Sequence, residues 1–350
     1  MTPSAFSLPA EWHPSRAVII AWPHAGTDWA PILGDVRATY AHLICELSKL
    51  AEVIVLSHEP IGEEYILPAT RRERVRVVDY LTNDTWARDY GPVTLLPSSP
   101  EGRPLHLDFC FNGWGMKFAA CRDNLATTHL AACGLLDGDI ANHRDMVLEG
   151  GSIDSDGCGT VLTTAQCLLA PNRNDTLDRD AIDAELRRRL GARRILWLEH
   201  GALAGDDTDG HVDTIVRFLP PSDPGAEPDT IAFAATDDTS DANYAELQAL
   251  RAELEALRRP DGTHYRLVPL MQPRPETDDD GMQLPATYAN FLIVNGAILL
   301  PTYRQPDRDA AAAEALRRAC PSYTVVPVDC RTLIEQHGSL HCATMQLPAI

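Results

Sequence analysis

The sequence predicts an α/β protein built from five copies of a ββαβ-like unit. Short runs of β-forming residues recur along the whole chain, and the segments with helical periodicity fall between them. The helix starts lie roughly 60–80 residues apart, which is the spacing of a structural repeat. No low-complexity linker interrupts the 350 residues. We therefore expect a single domain that covers residues 1–350.

The predicted elements follow from local pattern. The strand predictions are 17–22, 53–56, 75–79, 145–148, 160–163 and 291–294. The helix predictions are 35–50, 117–133, 178–190, 241–258 and 308–319. The fourth helix is the clearest, because Tyr244, Leu247, Leu250 and Leu254 recur at helical spacing and a Pro-Asp-Gly sequence follows them at 260–262.

The amino-acid composition indicates which classes of binding partner the protein favours. The chain has 50 acidic and 30 basic residues, for a formal net charge of −20, which disfavours nucleic acid and anionic membranes and favours small cations. The opening residues lack the pattern of a secretion signal, and no apolar run is long enough to cross a bilayer. The nine cysteines contain no CxxC pair, which is typical of reduced thiols. We expect a cytoplasmic protein.

Four segments contain residues that could take part in catalysis or bind a ligand: 83–92, 148–152 with 171–174, 206–213, and 337–344. The third contains four aspartates and His211, and on a strand His211 and Asp213 would face the same side. By composition this cluster fits a metal site and a catalytic pair equally well. In the fourth, His341 and Cys342 are adjacent and should point to opposite faces. If Cys342 is a nucleophile, its base must come from elsewhere, and His211 is available.

Taken in order, the segments form a pattern over almost the full chain. Its parts are Leu8-Pro-Ala-Glu-Trp12, Ala21-Trp-Pro23, Asn83-Asp-Thr-Trp-Ala-Arg-Asp-Tyr-Gly-Pro92, Phe111-Asn-Gly-Trp-Gly-Met-Lys117, Leu148-Glu-Gly-Gly-Ser152, Leu162-Thr-Thr164, Pro171-Asn-Arg-Asn174, Asp207-Thr-Asp-Gly-His-Val-Asp213, Tyr288-Ala-Asn-Phe291, Asn295-Gly296 and His341-Cys342. This set resembles the agmatine deiminase family and its relatives, the bacterial peptidylarginine deiminases. The resemblance implies a pentein fold, a five-bladed α/β propeller with its active site on the central axis.

The resemblance also implies residue roles. Cys342 is the expected nucleophile, His211 the acid and base, and Asp89 and Asp213 the carboxylates that bind guanidinium. Four further residues are expected at the substrate: Trp86, Asp207, Glu149 and Gly150. The implied reaction is hydrolysis of agmatine to N-carbamoylputrescine and ammonia, a step of putrescine metabolism, with no metal and no organic cofactor. The expected partners are a small cationic guanidine and, in a homodimer, a second copy of the chain.

Three positions depart from the family pattern. The glycine-rich turn before His341 reads His337-Gly-Ser339, Thr214 stands where Asn is common, and Ala289 replaces a larger apolar residue. These departures leave substrate choice open, so deiminases of peptidyl-arginine or free arginine are alternatives. A non-catalytic pentein binding factor and a metal-dependent hydrolase that uses 206–213 are alternatives of other classes.

Overall fold

The computed structural model of the protein describes residues 5–223 and 225–350. Residues 1–4, on which the expectation of no secretion signal partly rests, lie outside this range. The strands, in chain order, are β1 (Phe6–Ser7), β2 (Ser15–Ala21), β3 (Glu52–Ser57), β4 (Val75–Asp79), β5 (Val93–Pro97), β6 (Leu105–Cys110), β7 (Asp139–Val147), β8 (Asp154–Ser155), β9 (Thr160–Thr164), β10 (Arg194–Leu198), β11 (Val216–Leu219), β12 (Thr230–Ala235), β13 (Arg266–Met271), β14 (Glu276–Thr277), β15 (Gln283–Leu284), β16 (Leu292–Val294), β17 (Ala297–Thr302), β18 (Thr324–Asp329) and β19 (Met345–Pro348).

The longer helices are α1 (Leu33–Leu50), α2 (Ala126–Ala132), α3 (Arg179–Leu190), α4 (Tyr244–Ala256) and α5 (Pro306–Ala319). Three single helical turns, Ala87–Tyr90, Gly113–Met116 and Ala165–Leu168, lie between strands. None of the described helices combines the length and the apolar content that crossing a bilayer requires.

One topology recurs in five sheets of the described chain. In each sheet a strand pairs antiparallel with the next strand, which then pairs parallel with a third: β19-β2-β3, β5-β6-β7, β8-β9-β10, β11-β12-β13 and β16-β17-β18. A parallel pair needs a crossover connection, and α1 to α5 supply these crossovers in chain order. The ββαβ unit expected from the sequence is therefore present in an α/β fold.

The first of these sheets joins the two ends of the described chain. Strand β19 pairs antiparallel with β2, with Met345 opposite Ile19. The central strands are apolar runs buried on both faces, as parallel strands covered by helices should be. Because β19 follows Cys342 directly, this pairing anchors the 337–344 segment against the N-terminal part of the chain.

Two local predictions were wrong. Helix α2 begins at Ala126, not near 117, and a turn with left-handed backbone at Trp114 and Gly115 precedes it. The buried carboxylate of Asp123 accepts the backbone amides of Asn83 and Asp84, so the chain before α2 braces a neighbouring loop. His211 and Asp213 also do not lie on a strand, because Val212–Thr214 forms a 3-10 turn and β11 begins at Val216.

Candidate active site

The four segments singled out in the sequence meet around Gly151. A Cβ atom at this position would lie 2.6 Å from His211 Nδ1, 2.9 Å from Asp89 Oδ1 and 3.1 Å from Asp213 Oδ2. These contacts leave no room for a methyl group, so close approach of the backbone requires glycine here. Gly151 lies in the 3-10 turn Gly150–Ser152, and Cys342 Sγ lies 3.9 Å from Asp213 Oδ2.

Asp89 is held by two donors. The backbone amide of Gly151 donates to Oδ1 and the indole Nε1 of Trp114 donates to Oδ2, both at 2.9 Å. Burial raises the pKa of this carboxyl, and the nearby His211 opposes the rise. The two donors therefore fix the direction in which the carboxylate faces.

His211 is a buried imidazole between two carboxylates. Its Nδ1 lies 3.6 Å from Asp89 Oδ1 and its Nε2 lies 3.7 Å from Glu149 Oε2. Neither ring nitrogen has a hydrogen-bond partner among the described residues. Burial alone would lower the pKa of His211, but Asp89 and other neighbours raise it well above its ordinary value. The neighbouring negative charges therefore favour the protonated ring, which can give a proton to a reacting group.

Asp213 offers one free oxygen. Its Oδ2 lies 2.6 Å from His341 Nδ1, whereas its buried Oδ1 has no hydrogen-bond partner among the described residues. A buried polar atom without a partner is costly, so an N–H group at this place would be bound favourably. Burial acts to raise the pKa of Asp213, but the hydrogen bond from His341 and the charges around it bring it below its ordinary value.

Cys342 is a buried thiol in an acidic setting. Asn290 Nδ2 lies 3.3 Å from Sγ, and the Asn290 side-chain oxygen accepts the amide of His341 at 2.9 Å. Burial raises the pKa of Cys342 well above its ordinary value, and the charges of Asp213 and Asp89 raise it further. The thiol is therefore protonated until a cation compensates those carboxylates.

A narrow cavity opens beside this thiol. Trp86 and Asp207, both expected at the substrate, contribute to its wall. The lining residues are Asp28, Asp84, Trp86, Asp89, Trp114, Phe118, Asp207, Thr208, Gln336, His337, Gly338 and Cys342. This described lining contains four carboxylates and three aromatic side chains, but no lysine or arginine. A narrow, acidic and aromatic cavity suits an elongated organic cation.

Glu149 and Gly150, also expected at the substrate, do not line this cavity. Both carboxylate oxygens of Glu149 lie 3.1 Å from Arg173 Nε, and Glu149 is completely buried beyond His211. A Cβ at Gly150 would lie 2.2 Å from the Arg88 carbonyl oxygen, so this glycine permits backbone packing. The Arg173 ion pair and the Arg88 backbone therefore occupy the surroundings of these two residues.

Two aspartates of 206–213 are occupied by bonds to neighbouring groups. Asp206 accepts the amides of Thr208 and Gly210, and Asp209 pairs with Arg173 and Lys117 at 2.6 and 2.8 Å. These carboxylates do not converge, so the segment has no ligand set of its own for the metal alternative. Among the described residues, potential ligand atoms of Glu149, Cys167 and His211 lie within 4.8 Å of one another. There the Arg173 guanidinium already supplies the positive charge that a metal would bring.

Two pairs of consecutive residues, Arg88-Asp89 and His341-Cys342, lie between this cavity and a second one, and one member of each pair lines either cavity. Asp89 and Cys342 line the cavity just described, whereas Arg88 and His341 line a cavity of about 620 Å³. The backbones of the two pairs are bonded, since the Arg88 amide donates to the Cys342 carbonyl at 3.1 Å. His341 and Cys342 thus face opposite sides, as expected from the sequence.

Several residues at the site were not assigned a role from the sequence. Trp114, Asn290 and Glu11 lie inside motifs that carry the family resemblance, but nothing in the sequence indicates which atoms they contact. Gly151 directly follows Gly150, and no local pattern distinguishes the two glycines. The contact of His341 with Asp213 depends on segments 128 residues apart, which local sequence does not reveal.

Comparison with known proteins agrees with this geometry. Residues 7–348 match the family of Porphyromonas-type peptidyl-arginine deiminases. Agmatine deiminase of Stutzerimonas stutzeri is 33% identical over 98% of this chain and 96% of its own. A substrate-bound cysteine-to-serine variant of C. jejuni agmatine deiminase is 33% identical with a TM-score of 0.87, over 98% of this chain and 96% of that one. A Porphyromonas gingivalis protein provisionally named arginine deiminase is 46% identical with a TM-score of 0.89, over 98% of each chain. The chain therefore belongs to the Porphyromonas-type peptidyl-arginine deiminase family, as its motifs implied.

Proposed function

We propose that this protein is an agmatine deiminase that hydrolyses the agmatine guanidinium to N-carbamoylputrescine and ammonia. The supporting observation is the cavity beside Cys342 and Asp89, which has no lysine or arginine in its described lining and adjoins the cluster of Asp89, Asp213 and His211 around Gly151. Relatives named agmatine deiminase match the chain over nearly its full length. The proposed enzyme is a hydrolase of carbon–nitrogen bonds in linear amidines.

Binding begins with the two carboxylates. Asp89 and the free oxygen of Asp213 accept N–H groups of the planar guanidinium, which places its carbon over Sγ of Cys342. Burial and the two carboxylates hold the Cys342 pKa high; the substrate cation offsets the carboxylates, so the thiol releases its proton to solvent water and becomes a nucleophile.

The thiolate attacks the guanidinium carbon and forms a tetrahedral adduct. The cationic His211 gives its proton to the departing nitrogen, which leaves as ammonia, and an amidino-thioether remains on Cys342. His211, now neutral, takes a proton from a water molecule, whose oxygen adds to the same carbon. Collapse of the second adduct expels the Cys342 sulfur, which takes up the hydroxyl proton of the adduct, and releases the carbamoyl product, with His211 protonated again.

The acidic wall favours agmatine over arginine. Burial raises the pKa of Asp84 to about 7 and that of Asp207 to about 6, and neighbouring carboxylates add to both shifts. A primary ammonium group relieves such a cluster, whereas the α-carboxylate of free arginine would be repelled by it. We expect agmatine to be preferred by at least ~100-fold in kcat/KM, roughly 2.7 kcal/mol.

We also propose that the five ββαβ units close into a five-bladed propeller around the site. The common topology of the five sheets and the β19–β2 pairing between the chain ends support this arrangement. A cytoplasmic location and a homodimer stay predictions.

The test is ammonia release from a panel of guanidines. The panel contains agmatine, free arginine and a peptide with an internal arginine, and the last two represent the other names found among the relatives. Cys342→Ser should abolish turnover. The matched variant Cys167→Ser replaces another buried cysteine near His211, and it should still form the amidino-thioether on Cys342. Preference for the peptide or for free arginine would remove agmatine as the substrate.

A further inference from the structure

His341 lies between two buried carboxylates, one of which belongs to the active site. Its Nδ1 is 2.6 Å from Asp213 Oδ2, and its Nε2 is 2.5 Å from Glu11 Oε2. The ring lines the second cavity, not the one beside Cys342. It therefore reaches the reacting atoms only through Asp213.

The protonation state of the His341 ring depends on how many N–H groups its two partners require. An ionised carboxylate only accepts, and a neutral imidazole has one N–H group. Glu11 also accepts the amide of Ile293 at 2.7 Å and the guanidinium of Arg217. Although burial opposes it, Arg217 and His341 hold the Glu11 pKa well below its ordinary value. With ionised carboxylates on both sides, an N–H group on each ring nitrogen of His341 would satisfy both contacts.

We propose that His341 is a positioning residue of the reaction, which holds Asp213 ionised through one oxygen and leaves the other oxygen free for the guanidinium. Glu11 is the second part of this device, because it accepts the other ring N–H of His341 and so keeps the ring cationic. This inference rests on the proposed function, since it concerns the carboxylate that binds the substrate.

The surrounding charges fit this assignment. Around Asp213 lie the titratable or charged groups of His341, His211, Arg217, Arg88, Asp89 and Cys342. Around His341 lie Glu11, Asp154 and Asp213. Arg217 binds Glu11 and Asp154, and its side chain is completely buried. A buried network of this kind is favourable only when its carboxylates and cations balance, and a cationic His341 brings it closer to that balance.

The first experiment measures the pH profile of His341→Gln. Glutamine can still donate one N–H to Asp213 but carries no charge. The pKa of Asp213 should rise when the cation is removed, so the acid limb of kcat/KM should move to higher pH by about one unit. At neutral pH we expect a loss of at least about tenfold, mainly in KM. An unmoved acid limb in a folded variant would overturn the proposal.

The second experiment tests the coupling to Glu11. Glu11→Gln should move the acid limb in the same direction, and it should add nothing further in the His341→Gln background. Asp108→Asn is the matched control, because it replaces a buried aspartate that accepts from Thr128 outside this network and should leave the limb in place. Additive shifts from Glu11→Gln and His341→Gln would contradict a relay.

The third experiment does not depend on turnover. Ring ¹⁵N shifts of His341 in the substrate-free wild-type protein should show two protonated nitrogens. A neutral tautomer would refute the inference even if agmatine is hydrolysed. Wild-type protein that is inactive on agmatine but contains a cationic His341 would instead refute the proposed function and leave the charged pair standing.

Discussion

At the residue scale, the two carboxylates of the site differ in what surrounds them. Both oxygens of Asp89 accept fixed donors, whereas Asp213 has one bound and one free oxygen. Asp89 is therefore a rigid anion, and Asp213 presents an acceptor that nothing in the described chain satisfies. The difference arises from contacts with the backbone of Gly151 and with the ring of His341.

Asparagine at either position should be severely damaging. In Asp89→Asn the new NH₂ group must face one of two N–H donors, and in Asp213→Asn it must face the incoming guanidinium. Loss of a buried charge-assisted contact costs about 2–5 kcal/mol, so kcat/KM should fall by roughly 30- to several-thousand-fold. Asp108→Asn, a buried aspartate bonded to Thr128 outside the site, is the control and should stay near wild type. Steady-state kinetics on agmatine check this expectation, which an active Asp89→Asn enzyme would contradict.

The protonated state of Cys342 predicts selective alkylation. At neutral pH, 2-chloroacetamidine should modify Cys342 at least ~100-fold faster than neutral 2-chloroacetamide, because the amidinium offsets the charges of Asp89 and Asp213, which together with burial raise the pKa of Cys342. With chloroacetamide the rate should keep rising with pH beyond the ordinary thiol range, since the raised pKa delays ionisation. Mass spectrometry resolves Cys342 from the other eight cysteines. Equal rates for the two reagents at pH 7 would show that the carboxylates do not control the thiol.

At the element scale, the turn before Cys342 shapes one wall of the substrate cavity. A Cβ on Gly338 would lie 2.4 Å from the Trp86 ring, so the turn and the indole are in direct contact. His337 adopts left-handed backbone with a φ of 61°, and its Nδ1 lies 2.8 Å from the Gly205 carbonyl oxygen. This turn, where the chain departs from the family pattern, therefore contacts both the Trp86 ring and the backbone at Gly205.

Gly338→Ala should disturb substrate binding and not the fold. The added methyl group must displace the Trp86 indole, which is a stiff ring, so KM for agmatine should rise about tenfold or more, about 1.4 kcal/mol. Gly34→Ala is the matched control, because a Cβ at Gly34 in α1 meets nothing within 4 Å. Initial-rate kinetics of the two variants separate these outcomes, and an unchanged KM for Gly338→Ala would show that Trp86 is not part of the binding wall.

At the scale of the whole molecule, Arg217 joins segments that are distant in the chain. Its guanidinium binds Glu11 near the N-terminus, Asp154 in β8 and the carbonyl oxygen of Phe291. Its side chain is inaccessible to solvent. The central polar network is thus both a part of the site and a connection between sheets.

Arg217→Met should lower global stability. Methionine fills much of the volume but leaves the carboxylates of Glu11 and Asp154 buried without their cation, a change that typically costs about 3–5 kcal/mol. The exposed control Arg251→Met, which removes an ion pair with Glu255 on α4, should change stability by less than about 1 kcal/mol. Denaturant unfolding at neutral pH measures both. Equal midpoints for the two variants would show that the buried network does not hold the sheets together.

Much of the fold was predictable because it follows local rules. Helix α4 reads directly from Tyr244, Leu247, Leu250 and Leu254, and α5 matches its prediction within two residues at its start. The prediction of a helix start near 117 was wrong for a tertiary reason, because the Asp123 carboxylate accepts the backbone amides of Asn83 and Asp84. Local periodicity contains no information about a bond between segments 40 residues apart.

By itself, the sequence determined which chemical groups are present, their order along the chain and the ββαβ unit, because side-chain identity and hydrophobic period are local properties. The tertiary structure alone decided how those groups pair. It placed Glu149 next to His211 and in contact with Arg173, and it brought His341 into contact with Asp213. These outcomes depend on distances between strands and turns from opposite ends of the chain, and such distances are set only when the five sheets pack.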